Sequence, residues 1–186
     1  KYINGHSDVV GGAVIAKTNE VWEELDFWAN SLGVIGAPFD AYQTLRGLRT
    51  LDIRIKCAQE TTQAIAEFLD THDKIETVYY PGLPHHDGHK LAAHQQRGFG
   101  AMLSLRIKGD IEAVKTFTDS LTIFALAQSL GGTESLINHP ASMTHVSMGD
   151  KAREKAGVTE NLLRLSVGIE NADDLIADLK QALEIL

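Results

Sequence analysis

Cysteine is nearly absent. Cys57 stands alone among 186 residues, so no disulfide can form within the chain. Its position in a helical pattern predicts a packed thiol rather than a nucleophile, and the missing disulfide framework suggests a reducing compartment, the cytoplasm. Basic excess is also missing. Seventeen Lys and Arg face 25 Asp and Glu, a formal net charge of -8 that disfavours nucleic acid as a partner. No apolar run approaches the roughly 20 residues that a membrane helix needs. Low-complexity tracts are lacking too, so nothing argues for disorder. What remains is 44% hydrophobic, enough for a real core in one large or two small domains.

The periodicities alternate between strand and helix. Val10 to Ala16 is apolar and β-branched, and reads as a buried strand. Thr18 is placed to cap a helix with the stripe Val21, Trp22, Leu25, Trp28, Ala29 and Leu32, and Gly33 to end it. Helical spacing resumes near Phe39 and runs, with an interruption, to about Thr71, presenting Ile55, Ala58, Thr62, Ile65, Phe68 and Leu69 inward. Val78 to Tyr80 predicts a short strand stopped by Pro81-Gly82, and Gly88 to Gln96 a polar helix.

Ala101 to Lys108 alternates, with Leu103, Leu105 and Ile107 on one face and Ser104, Arg106 and Lys108 on the other. Asp110 caps a helix with Ile111, Val114 and Phe117 inward. Ile123 to Leu126 is a short strand, and Leu162 to Val167 alternates again. Asn171 caps a terminal helix with Asp173 and Asp174 in its first turn and Leu175, Ile176, Leu179, Leu183 and Leu186 inward. The pattern predicts an α/β fold with a mostly antiparallel sheet covered by helices on one side, and a domain boundary near residue 58.

A few residues have chemistry available to them. Arg164 falls on the polar face of its strand, where a guanidinium can hold a carboxylate through two parallel hydrogen bonds; by pattern alone it also reads as a solvated strand arginine. Gln128-Ser129-Leu130-Gly131-Gly132 is a loop whose glycines let backbone approach a ligand. Asn30, near Trp28 and Ser31, has the ordinary reading of a helix C-terminal asparagine. His139 and His145 have no accompanying acidic or thiol ligand cluster. His85 and His89 have i, i+4 spacing, but Pro84 and Gly88 break the helix that would pair them, so no metal site is expected.

The opening run Lys1-Tyr2-Ile3-Asn4-Gly5-His6-Ser7-Asp8-Val9-Val10-Gly11-Gly12 resembles the segment around the cofactor lysine in the cystathionine γ-synthase and γ-lyase family, enzymes of pyridoxal phosphate (PLP). Further matches follow in order: Phe39-Asp40-Ala41-Tyr42, Leu45 to Leu51, Gln128 to Gly132, Leu136 to His145, and Arg164 to Glu170. The resemblance covers the C-terminal half of the family's chains, so the sequence is expected to be the interior and end of a longer polypeptide.

The resemblance implies the C-terminal part of a fold-type I PLP-dependent transferase: 1–58 as the end of the PLP-binding domain and 59–186 as the small α/β domain. Lys1 would form the Schiff base with PLP and act as catalytic base, Arg164 and Ser129 would bind the substrate carboxylate, Gln128 would face the distal end of the substrate, and Asn30 would approach the active site, from the neighbouring subunit if not its own. The phosphate-binding and ring-stacking groups would come from the N-terminal half or a neighbouring subunit of a homotetramer. Among the family's activities it implies γ-replacement on O-succinyl-homoserine, or another O-acyl-homoserine, by cysteine. Most members compared have glutamate where this chain has Gln128, which leaves open γ-elimination by a cystathionine or methionine γ-lyase. A non-catalytic packing or oligomerisation module is the reading from another class.

Overall fold

The computed structural model describes residues 1–186. Helices α1 (Asn19–Leu32), α2 (Pro38–Leu48) and α3 (Leu51–Asp70) come first. They are followed by β1 (Ile75–Tyr79), α4 (His89–Gln95), β2 (Met102–Ile107), α5 (Ile111–Ser120), β3 (Ala125–Leu126), β4 (Leu136–Asn138), α6 (Asp150–Lys155), β5 (Leu162–Ser166) and α7 (Ala172–Glu184). The five strands form one sheet in the order β1-β2-β5-β4-β3. Every pairing is antiparallel except β3 with β4.

The alternation in β2 and β5 makes the sheet two-faced. Leu103, Leu105 and Ile107, with Leu163 and Leu165, are buried beneath α3, α5 and α7. Fully burying each such side chain stabilises by about 1.5–3 kcal/mol. Ser104 lies opposite Arg164, and Met102 opposite Ser166. Those residues share the other face, as does Asn138, which lies opposite Arg164 from β4. This second face carries the polar chemistry.

The helix ends follow local capping. The Asp110 carboxylate accepts from the Glu112 and Ala113 N–H groups, and the Asn171 side chain from Asp173 and Asp174. Gly33 adopts φ 69° at the end of α1.

Residues 10–16 correct the reading of a buried strand: they form no ladder, and Val10, Val14 and Ile15 are exposed. A β-branched run becomes a strand only against another strand, and no other part of this chain reaches it. The α1 helix forms as expected, yet none of its residues is buried. Two elements were not foreseen. Both β4 and α6 are too short for periodicity to register.

Candidate active site

Residues 1–5 make a tight turn in which the Gly5 N–H donates to the Lys1 carbonyl at 2.8 Å. The turn presents the exposed Lys1 side chain to the loop between β3 and β4, and its Nζ donates to Ser129 Oγ at 2.7 Å. Ser129 holds φ at 109°, a backbone region that residues other than glycine rarely adopt. In this conformation its carbonyl accepts from Arg164 Nη2 at 2.9 Å. Three residues that lie 128 and 35 positions apart thus form one connected group.

Arg164 is half-buried on β5, and its Nε is shielded from solvent without a hydrogen-bond partner. A guanidinium with one donor spent on the protein and another unspent is suited to a planar carboxylate. The Tyr2 hydroxyl is likewise buried, and it lies near Arg164 and Ser166. Burial pushes the Tyr2 phenol above its ordinary pKa, while the Ser166 hydroxyl and the Arg164 charge pull it down less strongly.

The two loops also interlock away from Lys1. Gly131 sits at φ 77°, and a Cβ there would approach Tyr2 Cγ to 2.9 Å. Its N–H donates to Ser166 Oγ at 2.9 Å. Ser7 Oγ donates to Glu134 Oε1 at 2.6 Å. Glu170 accepts from the Ser135 N–H and hydroxyl, and Ser135 Oγ accepts from the Gly168 N–H. On the far side of β3, the buried Asp178 carboxylate accepts from the backbone N–H groups of Thr122, Ile123 and Phe124 and from the Thr122 hydroxyl. This network anchors the backbone four to six residues ahead of Gln128.

Of the residues singled out in the sequence, Lys1, Ser129 and Arg164 come together. Gln128 is adjacent and exposed, and its side chain makes no hydrogen bond within the chain. Asn30 lies at the exposed end of α1 and touches none of the three through a hydrogen bond. His139 is buried with both ring nitrogens engaged, by Ser142 Oγ at 2.7 Å and the Glu160 carbonyl at 2.8 Å. His145 Nδ1 meets Thr144 Oγ1 at 2.8 Å. His85 faces Asp70 and His89 faces the Pro81 carbonyl. Tyr2, Glu134 and Ser166 were missed as site residues, whereas Gly131 belongs to the glycine loop singled out in the sequence. For Tyr2 the one available signal was its place next to Lys1.

An amine, a serine hydroxyl and an under-used guanidinium within one connected group fit the lysine end of a PLP site together with a substrate-carboxylate clamp. The unspent Arg164 Nε is the observation that makes the fit.

Comparisons with known proteins identify the family. The description "Cys/Met metabolism PLP-dependent enzyme" matches residues 1–184. The cystathionine gamma-synthase of Escherichia coli is 54% identical over 180 residues, which is 97% of this chain and 47% of that protein. The cystathionine gamma-lyase of Dictyostelium discoideum is 46% identical over 99% of this chain and 48% of its own. The crystal structure of cystathionine gamma synthase from Xanthomonas oryzae pv. oryzae, in complex with aminoacrylate and cysteine, superposes with a TM-score of 0.94 at 59% identity, over 99% of this chain and 48% of that one. The chain spans about half the length of the relatives it matches. It belongs to the PLP-dependent enzymes of cysteine and methionine metabolism, and pyridoxal phosphate is its family's cofactor.

Proposed function

We propose that this chain is the C-terminal half of a cystathionine γ-synthase, which replaces the acyloxy group of an O-acyl-homoserine, O-succinyl-homoserine in the first instance, with the sulfur of cysteine to give cystathionine. The observation that carries the reading is the 2.7 Å approach of Lys1 Nζ to Ser129 Oγ, with the Ser129 carbonyl on Arg164. The identity to γ-synthases, 54% and 59% in the two relatives described, supports the choice of reaction.

Bound PLP would supply an electron sink for the bonds at the substrate Cα. The protein does the rest. Arg164 binds the substrate α-carboxylate through its free Nε, and the Ser129 hydroxyl orients that carboxylate. Lys1 Nζ moves protons: it removes the one on Cα, assists loss of one from Cβ so that the acyloxy group departs from Cγ as a carboxylate, and returns them after the thiolate adds. A long, mobile stem allows one amine to serve both carbons. Gln128 faces the distal end of the substrate, and Asn30 approaches an active site from the neighbouring subunit.

Residues 1–58 belong with the PLP-binding domain and 59–186 form the small domain. In support, the contiguous core cluster begins at Ile65, whereas α1 and α2 bury only Gly47. The N-terminal half supplies the missing cofactor contacts and covers the apolar faces of α1 and α2. The assembled enzyme is a homotetramer of a reducing cytoplasm, in which Cys57 stays a thiol.

The test uses this chain joined to its N-terminal half. Cystathionine formed from O-succinyl-homoserine and cysteine supports the proposal; absence of cystathionine with either succinyl or acetyl ester ends it. Gln128, uncharged and exposed, favours a second reading, γ-elimination, which release of 2-oxobutyrate from cystathionine would establish. If added PLP gives no visible absorbance dependent on Lys1, the non-catalytic module is the correct reading.

A further inference from the structure

Arg54, on the first turns of α3, is 7% exposed, although it is charged. The ion pairs nearby do not include it, so its charge is met by dipoles. Nη1 donates to the Tyr2 carbonyl at 2.9 Å, Nη2 to the Ile3 carbonyl at 3.3 Å and to the Gly47 carbonyl at 2.8 Å, and Nε to Thr50 Oγ1 at 3.1 Å. All three nitrogens are spent, and two of the acceptors are the residues directly after Lys1.

The close approach depends on two glycines. A Cβ on Gly5, which holds φ 74°, would fall 1.9 Å from Arg54 Nη1, and a Cβ on Gly47 would fall 2.0 Å from the Asn4 carbonyl oxygen. The turn, the end of α2 and the start of α3 are therefore pressed together around one guanidinium. Burying a charge with no counter-ion carries a desolvation cost. A neutral side chain would avoid that cost, but none presents several donors in a rigid fork.

We propose that Arg54 is a positioning residue for Lys1: by gripping the Tyr2 and Ile3 carbonyls it fixes the main chain from which the Lys1 amine reaches Ser129 Oγ. This rests on the reading of Lys1 as the cofactor lysine. The guanidinium nitrogens of Arg54 are all engaged within the chain, so its role is on the turn and not on a ligand. It acts by removing the freedom of the turn, and an amine displaced by about 1 Å loses on the order of a hundredfold in rate.

The test takes the chain joined to its N-terminal half, loaded with PLP, as wild type, Lys1→Ala, Arg54→Lys, Arg54→Met and Thr50→Val. Visible absorbance of bound cofactor across pH, kcat, KM and melting temperature are recorded for each. The expected result is a kcat loss of about a hundredfold in Arg54→Met with KM changed less than about threefold. The pH midpoint of the absorbance shifts, Arg54→Lys recovers part of kcat, and the milder Thr50→Val loses about twofold. The inference is overturned if melting temperature falls in the Arg54 variants while kcat and the absorbance midpoint hold their wild-type values in the folded protein. If Arg54→Met does not fold, unchanged kcat and absorbance midpoint in both Thr50→Val and Arg54→Lys overturn it. Absorbance insensitive to Lys1→Ala sinks instead the reading of Lys1, and the two failures are thereby told apart.

Discussion

Ser129 turns its carbonyl onto the Arg164 guanidinium, 2.9 Å away, and holds φ at 109° in doing so. Side chains other than glycine adopt such a φ at a cost of about 1–3 kcal/mol. The strain coincides with the one serine whose hydroxyl meets Lys1. Ser129→Gly and Ser129→Ala both delete that hydroxyl, but only glycine relaxes the backbone. The glycine variant is expected to be the more stable of the two by about 1 kcal/mol in urea denaturation. Both should raise the KM for the amino-acid substrate in the joined protein. Equal stability of the two would mean that the backbone there is unstrained.

Asp178 gives the α/β core an acid limit. Burial raises its pKa, but the N–H groups of Thr122, Ile123 and Phe124 and the Thr122 hydroxyl together outweigh burial and hold the carboxyl below its ordinary 3.8. A group whose folded pKa is depressed contributes stability in full above its unfolded value, and that contribution is lost as pH falls through the folded value. The melting temperature should therefore decline below about pH 4. In Asp178→Asn this part of the decline should be absent, and stability at neutral pH lower by about 2 kcal/mol, since the amide oxygen replaces two charged acceptors. Parallel pH profiles of the two proteins would refute this.

Gly131→Ala should be costly out of proportion to one methyl group. The residue needs φ 77°, and its new Cβ would lie 2.9 Å from the Tyr2 ring. Backbone strain alone is expected to cost about 1–2 kcal/mol, and the displaced Tyr2 carries Lys1 with it. Thermal unfolding measures the first effect, and the visible absorbance of bound PLP in the joined protein the second.

The α1 and α2 helices should bind a hydrophobic dye when this chain is alone. Trp22, Phe27 and Trp28 on α1 and Phe39 and Tyr42 on α2 are all more than half exposed, a larger apolar surface than soluble domains usually leave open. The N-terminal half is expected to cover it. Dye fluorescence should then fall, and the Trp22 and Trp28 emission shift to the blue, on joining the two halves. Unchanged emission would show that some other surface receives that half.

Where the information is local, the sequence was readable. The alternation of Leu103, Leu105 and Ile107 needs only a two-faced strand, and the caps Asp110 and Asn171 act on N–H groups two and three residues away. The run Val10 to Ala16 carried the same kind of signal and made no strand, because pairing needs a partner that periodicity cannot supply. Lys1, Ser129 and Arg164 stood out by resemblance to a family, while nothing around Arg54 suggested a charge that would be buried by carbonyls.

Residue order by itself determined the α/β class, the capped helices, the polar face of β5 and the set of groups able to do chemistry. Only the tertiary structure decided which of those groups meet. The Lys1 amine reaches Ser129, the Ser129 carbonyl reaches Arg164, and Arg54 clasps the turn that begins at Lys1, each across tens of residues. Such contacts depend on which surfaces the buried core forces together, and no property of a residue's near neighbours in the chain encodes that distance.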